Sequence, residues 1–474
     1  MNRRTFLKIA GMGSLAFTTA CTLESEKKLF SVVKTPDDMV TGKAHWYATT
    51  CRECPAGCGV LAKNREGRVI KLEGNPLHPV NKGKLCIRGQ SALQGIYNPD
   101  RLGQPVLKTN NKWQSVSQAE ALLFLREKID AARAKGPNNI RMMSRVEGES
   151  LLTLFAECLD AWQSSPPMIY EPFSYENLKA ANKIVFGING LCRYRIDQSD
   201  CLVGFGADFL ETWLSPVEYA RRFKAMHAYQ NGAKGIFYYV GPCRTLTGAN
   251  ADEWIQSPPG GETAVCLGII NAILEATGGR GLPLRVKETM LAVAGPYTRQ
   301  RVRDLTGISM DKYEAMIRQL LWAKNPLVLG TGTLSHSESD LQANIAVNLL
   351  NALLDPDLNL LDFENRHRVE LAGGNAQAAA FFDEVETHPP AVLLLNNVNP
   401  LYAMPDEKGI EALLSRNQPF VVCFSNFLDE TAETADLVIP TSLALESWGE
   451  YSCGGTVLST QQPAMPALTG APAV

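Results

Sequence analysis

Four cysteines constrain this chain more than any other feature in it. Cys51, Cys54 and Cys58 fall within eight residues as C-x2-C-x3-C, and Cys86 follows 27 residues later in Cys86-Ile-Arg-Gly89. Three thiols this close can wrap three corners of a cubane, and a fourth brought back by the fold closes it, which is how iron–sulfur clusters are commonly held. A structural zinc site usually has two separated C-x2-C pairs, and the second pair is missing here. Two disulfides are the other alternative, although Cys51 and Cys54 would make a poor structural bridge. A [4Fe–4S] cluster on Cys51, Cys54, Cys58 and Cys86 is the favoured reading. Glycines 57 and 59 let the backbone curl around so bulky a group. The other eight of the twelve cysteines, Cys453 among them, are scattered and read as small buried apolar residues.

Between Cys58 and Cys86 the pattern predicts a hairpin, with strands over Gly59–Asn64 and Arg68–Glu73 around Arg65-Glu66-Gly67. From Gly59 to Arg101 there are eight basic residues against three acids, a shell suited to an anionic cluster. Arg88, two residues past a cysteine, is the candidate charged neighbour of that cluster.

Beyond residue 117 the pattern is α/β. Ser117-Gln-Ala-Glu120 is a capping box at the head of a helix. Short apolar strands are expected at Asn139–Ser144, Cys201–Gly206, Gly235–Val240, Leu327–Gly330 and Ala391–Leu395, with helices over Ser150–Trp162 and from about Pro216. Apolar strands alternating with helices imply doubly wound parallel sheets covered on both faces. Ligands of such sheets bind past the carboxyl ends of the strands. The candidate loops there are Gly204 and Gly206, Gly330 and Gly332, and Asn399 with Pro400. The six histidines show no ligand spacing.

The first thirty residues open Met1-Asn2-Arg3-Arg4-Thr5-Phe6-Leu7-Lys8 and continue apolar and small to Ala20, an export signal of twin-arginine type. That route carries folded proteins, which suits a chain that acquires its cluster before export. Cys21 follows the apolar stretch directly and is a candidate for acylation. No apolar run approaches the ~20 residues of a membrane-spanning helix, and a net charge of −3 points to no nucleic-acid partner.

The cysteine pattern, with Cys51–Gly59, Glu73–Cys86 and Arg88–Leu102, resembles the N-terminal cluster domain of the molybdopterin oxidoreductase (dimethyl sulfoxide reductase) superfamily. It looks closest to the molybdopterin-like B subunit of alternative complex III and periplasmic menaquinone reductase complexes. Thr431, Ala435-Asp436, Pro440 and Glu446 resemble a further family segment. In the superfamily, loops similar to those at Gly204–Gly206, Gly330–Gly332 and Asn399–Pro400 contact the pterin dinucleotides, and the metal ligand falls near Ser174, a position that would also suit a helix cap.

The branch is understood to have lost molybdenum and to conduct electrons. The resemblance therefore implies an oxidoreductase subunit with one [4Fe–4S] cluster and no catalytic residue of its own. It would sit on the periplasmic face of a membrane respiratory complex. Its partners would be a ferredoxin-like iron–sulfur subunit, a multihaem cytochrome c and a polytopic quinone-binding subunit. The alternative is a catalytic subunit holding Mo-bis(molybdopterin guanine dinucleotide).

The expected organisation is a signal segment over 1–30, a cluster domain over 45–105, and an α/β domain from 106–148 and 325–460. A second α/β domain is inserted at 149–324, and 461–474 is expected to be a tail or a truncation. The C-terminal β-barrel of full-length relatives is not expected in this sequence.

Overall fold

In a computed structural model, the described residues are 40, 42–230, 232–279, 281–332, 338–405, 409–416 and 419–469. The signal segment and Cys21 lie outside them.

The first element among the described residues is a three-stranded antiparallel sheet of β1 (His45–Thr50), β2 (Gly59–Arg65) and β3 (Arg68–Gly74). The expected hairpin is β2–β3. Glu66 and Gly67 both take positive φ, 53° and 80°, the geometry that matches the twist of a two-residue hairpin. Strand β1 carries no local signal of its own, and its pairing with β2 places the cysteine loop 51–58 at one end of the sheet. Helix α1 (Ile87–Ile96) follows.

Next come β4 (Val106–Thr109), β5 (Lys112–Ser115), α2 (Gln118–Ala134), β6 (Ile140–Ser144), α3 (Glu149–Ala161) and β7 (Met168–Ile169). The capping box forms as expected: Glu120 accepts from the Ser117 amide at 2.8 Å, and the Ser117 hydroxyl accepts from the Glu120 amide.

The second unit holds α4 (Glu176–Phe186), β8 (Arg193–Tyr194), β9 (Cys201–Phe205), α5 (Pro216–His227), β10 (Ile236–Gly241), β11 (Glu253–Gln256), α6 (Glu262–Thr277), β12 (Pro326–Leu329), α7 (Glu338–Leu354) and β13 (Leu361–Asp362). The chain then returns through β14 (Val392–Asn396), β15 (Phe420–Phe424) and β16 (Leu437–Val438), and closes with the hairpin β17 (Gly449–Gly454) and β18 (Val457–Gln461).

Two central sheets result, ordered β5-β4-β16-β15-β14-β6-β7 and β11-β10-β9-β12. The second is parallel throughout. The first is parallel from β16 to β7, with β4 and β5 as an antiparallel edge. Alternation explains why both sheets are covered on two faces. Cys201, Val203 and Phe205 enter one core with α6, while Leu202 enters the other. Ile140 and Met142 likewise part from Met143.

The expected domain limits need correction. β12 pairs with β9, so 326–329 belong to the inserted sheet, and β13 pairs with β8. At the other side, α3 leads into β7, which pairs with β6 of the first sheet. The inserted unit thus runs from about α4 to β13, not over 149–324. The reason is that α7 packs on both α4 and α6, carrying its preceding strand with it. Nor do the described residues after 461, 462–469, hang loose. Ala464 and Met465 are buried against Ala62, Val69 and Leu72 of the first domain, and the Asn64 side-chain amide donates to Ala464 O at 2.6 Å.

Candidate functional site

The loop 51–58 and the start of α1 bring Cys51, Cys54, Cys58 and Cys86 into one shell with Leu85, Ala56 and Val217 of α5. The second unit therefore closes over the cysteines of the first. A mesh of backbone bonds shapes the loop. The Cys51 amide donates to Cys58 O at 2.8 Å, and the Glu53 and Ala56 amides donate to the Cys51 and Cys54 sulfurs. Asn81 clamps the return segment, accepting from the Gly59 amide and donating to Gly59 O and Lys84 O at 2.8 and 2.6 Å. Gly74 lets Lys84 approach; a Cβ there would sit 2.4 Å from Lys84 O. Cys86 is delivered at the N-cap of α1.

Burial pushes the Cys51 thiol up to about 12 and raises Cys54 and Cys58 as well. Thiols so disfavoured as free anions are inert unless a metal group takes them as ligands. Among the described residues, no three Cys, His, Asp or Glu side chains converge closely enough for a single ion. Zinc would need its sulfurs about 3.8 Å apart, given Zn–S bonds of about 2.3 Å. Four thiols gathered in one shell fit a cubane, whose ligands stand on its outer corners.

Arg88 bonds Cys86 and lies beside Cys54. Burial pulls its guanidinium down, but the two sulfurs outweigh that and hold it above its ordinary range. On the other side, Arg52 donates to Glu147 at 2.6 Å and to Val146 O, stacks 3.8 Å over the Tyr451 ring, and shares Glu147 with Arg145. Burial raises Glu147, yet the two arginines prevail and keep it a carboxylate. Sequence reasoning missed this layer, and above all Cys453 and Tyr451. Cys453 Sγ donates to Gly57 O, and the Tyr451 hydroxyl donates to Pro55 O, both at 2.9 Å. No local pattern marks a partner some 400 residues away.

The other expected residues separate into distinct places. Gly206 and Gly332 meet, since a Cβ on Gly332 would lie 2.7 Å from Gly206 O, while Gly204 sits inside β9 and Gly330 presses on Asn344. Neither pair borders the two cavities beside the cysteine loop. Asn399 does border the smaller one, of about 230 Å³. Its side chain bonds Glu430 and Thr431 and caps the short helix that begins at Pro400. Ser174 is fully buried, and its hydroxyl has no hydrogen-bond partner. It does not cap α4, whose N-cap is Tyr175 in left-handed geometry (φ 57°), and it borders neither cavity. Glu446 forms a two-bond pair with Arg101, and Asp436 accepts from the Val421 amide.

Comparison with known proteins follows the same lines. The model described as molybdopterin oxidoreductase Fe4S4 domain matches residues 44–98, and that described as molybdopterin oxidoreductase matches 101–471. The chain is 27% identical over 440 residues to the menaquinone reductase, molybdopterin-binding-like subunit of Nitratidesulfovibrio vulgaris, covering 90% of this chain and 63% of that one. It is 23% identical to the thiosulfate reductase molybdopterin-containing subunit of Salmonella typhimurium, covering 95% of this chain and 62% of the relative. Acetylene hydratase from Pelobacter acetylenicus shares the fold, with a TM-score of 0.72 at 17% identity over 90% of this chain and 67% of that chain. The chain thus spans a little over three fifths of these two curated relatives.

The residues present fit an iron–sulfur cluster. A pterin dinucleotide is a different matter. The larger cavity, about 720 Å³, lies at the carboxyl ends of β6 and β14, where a nucleotide would be sought. Its two arginines, Arg52 and Arg145, are both committed to Glu147. The N-terminus of α3, a natural seat for phosphate, holds the chain's own Glu450, which accepts from the Ser150 amide at 2.8 Å. No lysine borders the cavity among the described residues. This lining does not fit a pyrophosphate.

Proposed function

Since this chain belongs to the molybdopterin oxidoreductase family, we propose that it is the iron–sulfur electron-transfer subunit of a membrane-associated respiratory quinone oxidoreductase. The observation that carries this reading is the single shell that gathers Cys51, Cys54, Cys58 and Cys86. When bound there, a [4Fe–4S] cluster supplies one-electron transfer. The chain's own residues do the rest. The four thiolates hold the cluster, α5 and Leu85 exclude water from it, and Arg88 balances its negative charge.

Likeness to a menaquinone reductase subunit supports a place in a quinone-linked complex. The proposed neighbours are a ferredoxin-like iron–sulfur subunit, a multihaem cytochrome c and a polytopic quinone-binding subunit. Arg3-Arg4 and the apolar stretch after them support twin-arginine export to the periplasmic face of the membrane. Among the described residues no helix is long and apolar enough to cross a membrane. Attachment through those neighbours, or through a lipid on Cys21, would meet the need.

A second reading, a catalytic molybdenum subunit, draws on the buried, unpartnered hydroxyl of Ser174. Metal analysis of the purified complex separates the two. Iron and acid-labile sulfide at four per chain with molybdenum far below stoichiometry supports the electron-transfer reading. Stoichiometric molybdenum with extractable pterin overturns it.

A further inference from the structure

The hairpin β17–β18 grips the cluster loop from outside. Thr50 Oγ1 donates to Thr460 O, and Gln462 donates to Ala48 O. The Arg52 guanidinium stacks on Tyr451. Two grips fall on the peptide units of the loop itself: Tyr451 on Pro55 O and Cys453 on Gly57 O. Gly57 permits this closeness, because a Cβ there would lie 2.5 Å from the Tyr451 ring and 3.0 Å from Cys453 Sγ.

A trans peptide is planar, and its C=O and N–H point in opposite directions. Tyr451 draws the Pro55 carbonyl outward, so the Ala56 N–H on the same peptide must face inward. It does, donating to Cys54 Sγ. Hydrogen bonds to cluster sulfurs set cluster potential. An N–H donor stabilises the more negative, reduced form and therefore raises the potential.

We propose that Tyr451 is a positioning residue that tunes the cluster through the Pro55–Ala56 peptide, its hydroxyl holding the Ala56 amide on the Cys54 sulfur. This rests on the electron-transfer reading above. The electron balance is that of the cluster alone: one electron enters on reduction and one leaves on oxidation, and the Ala56 proton stays on its nitrogen throughout.

The test is Y451F in the full chain, followed by potentiometric titration of the cluster monitored by electron paramagnetic resonance. Phenylalanine keeps the ring under Arg52 and deletes only the donor. The expected result is unchanged iron content with the midpoint shifted to lower potential. An intact cluster at unshifted or raised potential overturns the proposal. If Y451F fails to assemble, electron–nuclear double resonance on the wild type in H2O and D2O decides. An exchangeable proton coupled to the cluster and held in an N–H···S geometry is expected, and its absence overturns the proposal. Lack of any cluster in the wild type would instead strike the electron-transfer reading, so the two failures are distinguishable.

Discussion

The Cys453 thiol donates to the Gly57 carbonyl across 2.9 Å, a bond between residues 396 positions apart. Ser459 Oγ lies 3.4 Å from the same sulfur and 2.8 Å from His78 Nε2, so the thiol ends a short polar chain beneath the cluster loop. Cysteine here acts as a hydrogen-bond donor inside a core, with burial holding its thiol protonated. C453A leaves the Gly57 carbonyl buried without its partner, which costs about 1–3 kcal/mol. C453S keeps a donor and should lie close to wild type. Denaturant unfolding of the iron-loaded protein checks the order, and equal losses for both variants would contradict it.

Gly57 itself should tolerate nothing larger. Its φ of +61° and the 2.5 Å approach of the Tyr451 ring act against any side chain. G57A is expected to lose most of its iron on purification, whereas G103A, where a Cβ meets nothing within 4 Å, should keep it. Iron per chain is the readout.

The buried pair Arg101–Glu446 ties the cluster domain to the segment before β17, with both side chains almost fully shielded. Burial raises the Glu446 carboxyl, but its bonds from Arg101, Leu468 and Leu443 prevail and hold it below the usual 4.5. A carboxylate with a depressed folded value contributes stability above its unfolded value and loses it as pH falls through the folded one. Stability should therefore decline below about pH 4.5. E446Q should be destabilised by about 3–5 kcal/mol at pH 7 and show a shallower acid decline. Thermal unfolding from pH 3 to 7 measures both.

At the head of α3 the cap comes from another part of the chain. Gly148 offers no side chain, and Glu450 accepts from the Ser150 amide instead. E450A should cost about 1 kcal/mol, as for a lost N-cap, and chemical denaturation reads it directly. A gain in stability would mean that repulsion from the neighbouring carboxylates outweighs the cap.

Much of this was legible in the sequence because it is local. The cysteine spacing, the Glu66-Gly67 turn and the Ser117 capping box each lie within a few residues, and the buried strands are continuous apolar runs. Sheet membership was not legible. Pro326–Leu329 has the same apolar character as Val392–Asn396, and only the packing of α7 on α4 and α6 assigns it to β9. The cap role expected for Ser174 failed by one residue, because Tyr175 takes the left-handed N-cap position and bonds Thr212 O and the Leu214 amide. The grips of Tyr451 and Cys453 were invisible for the same reason as β12: nothing near them in the chain shows what they touch.

Under the proposed function, Cys51, Cys54, Cys58 and Cys86 together hold one cluster. The most direct measurement is Mössbauer and electron paramagnetic resonance spectroscopy of the reduced full-length protein, wild type beside C54S. Four irons per chain and one reducible [4Fe–4S] signal are expected in the wild type, lost or converted to a three-iron signal in C54S. A wild type with no reducible cluster, or a C54S variant with an unchanged signal, would contradict it.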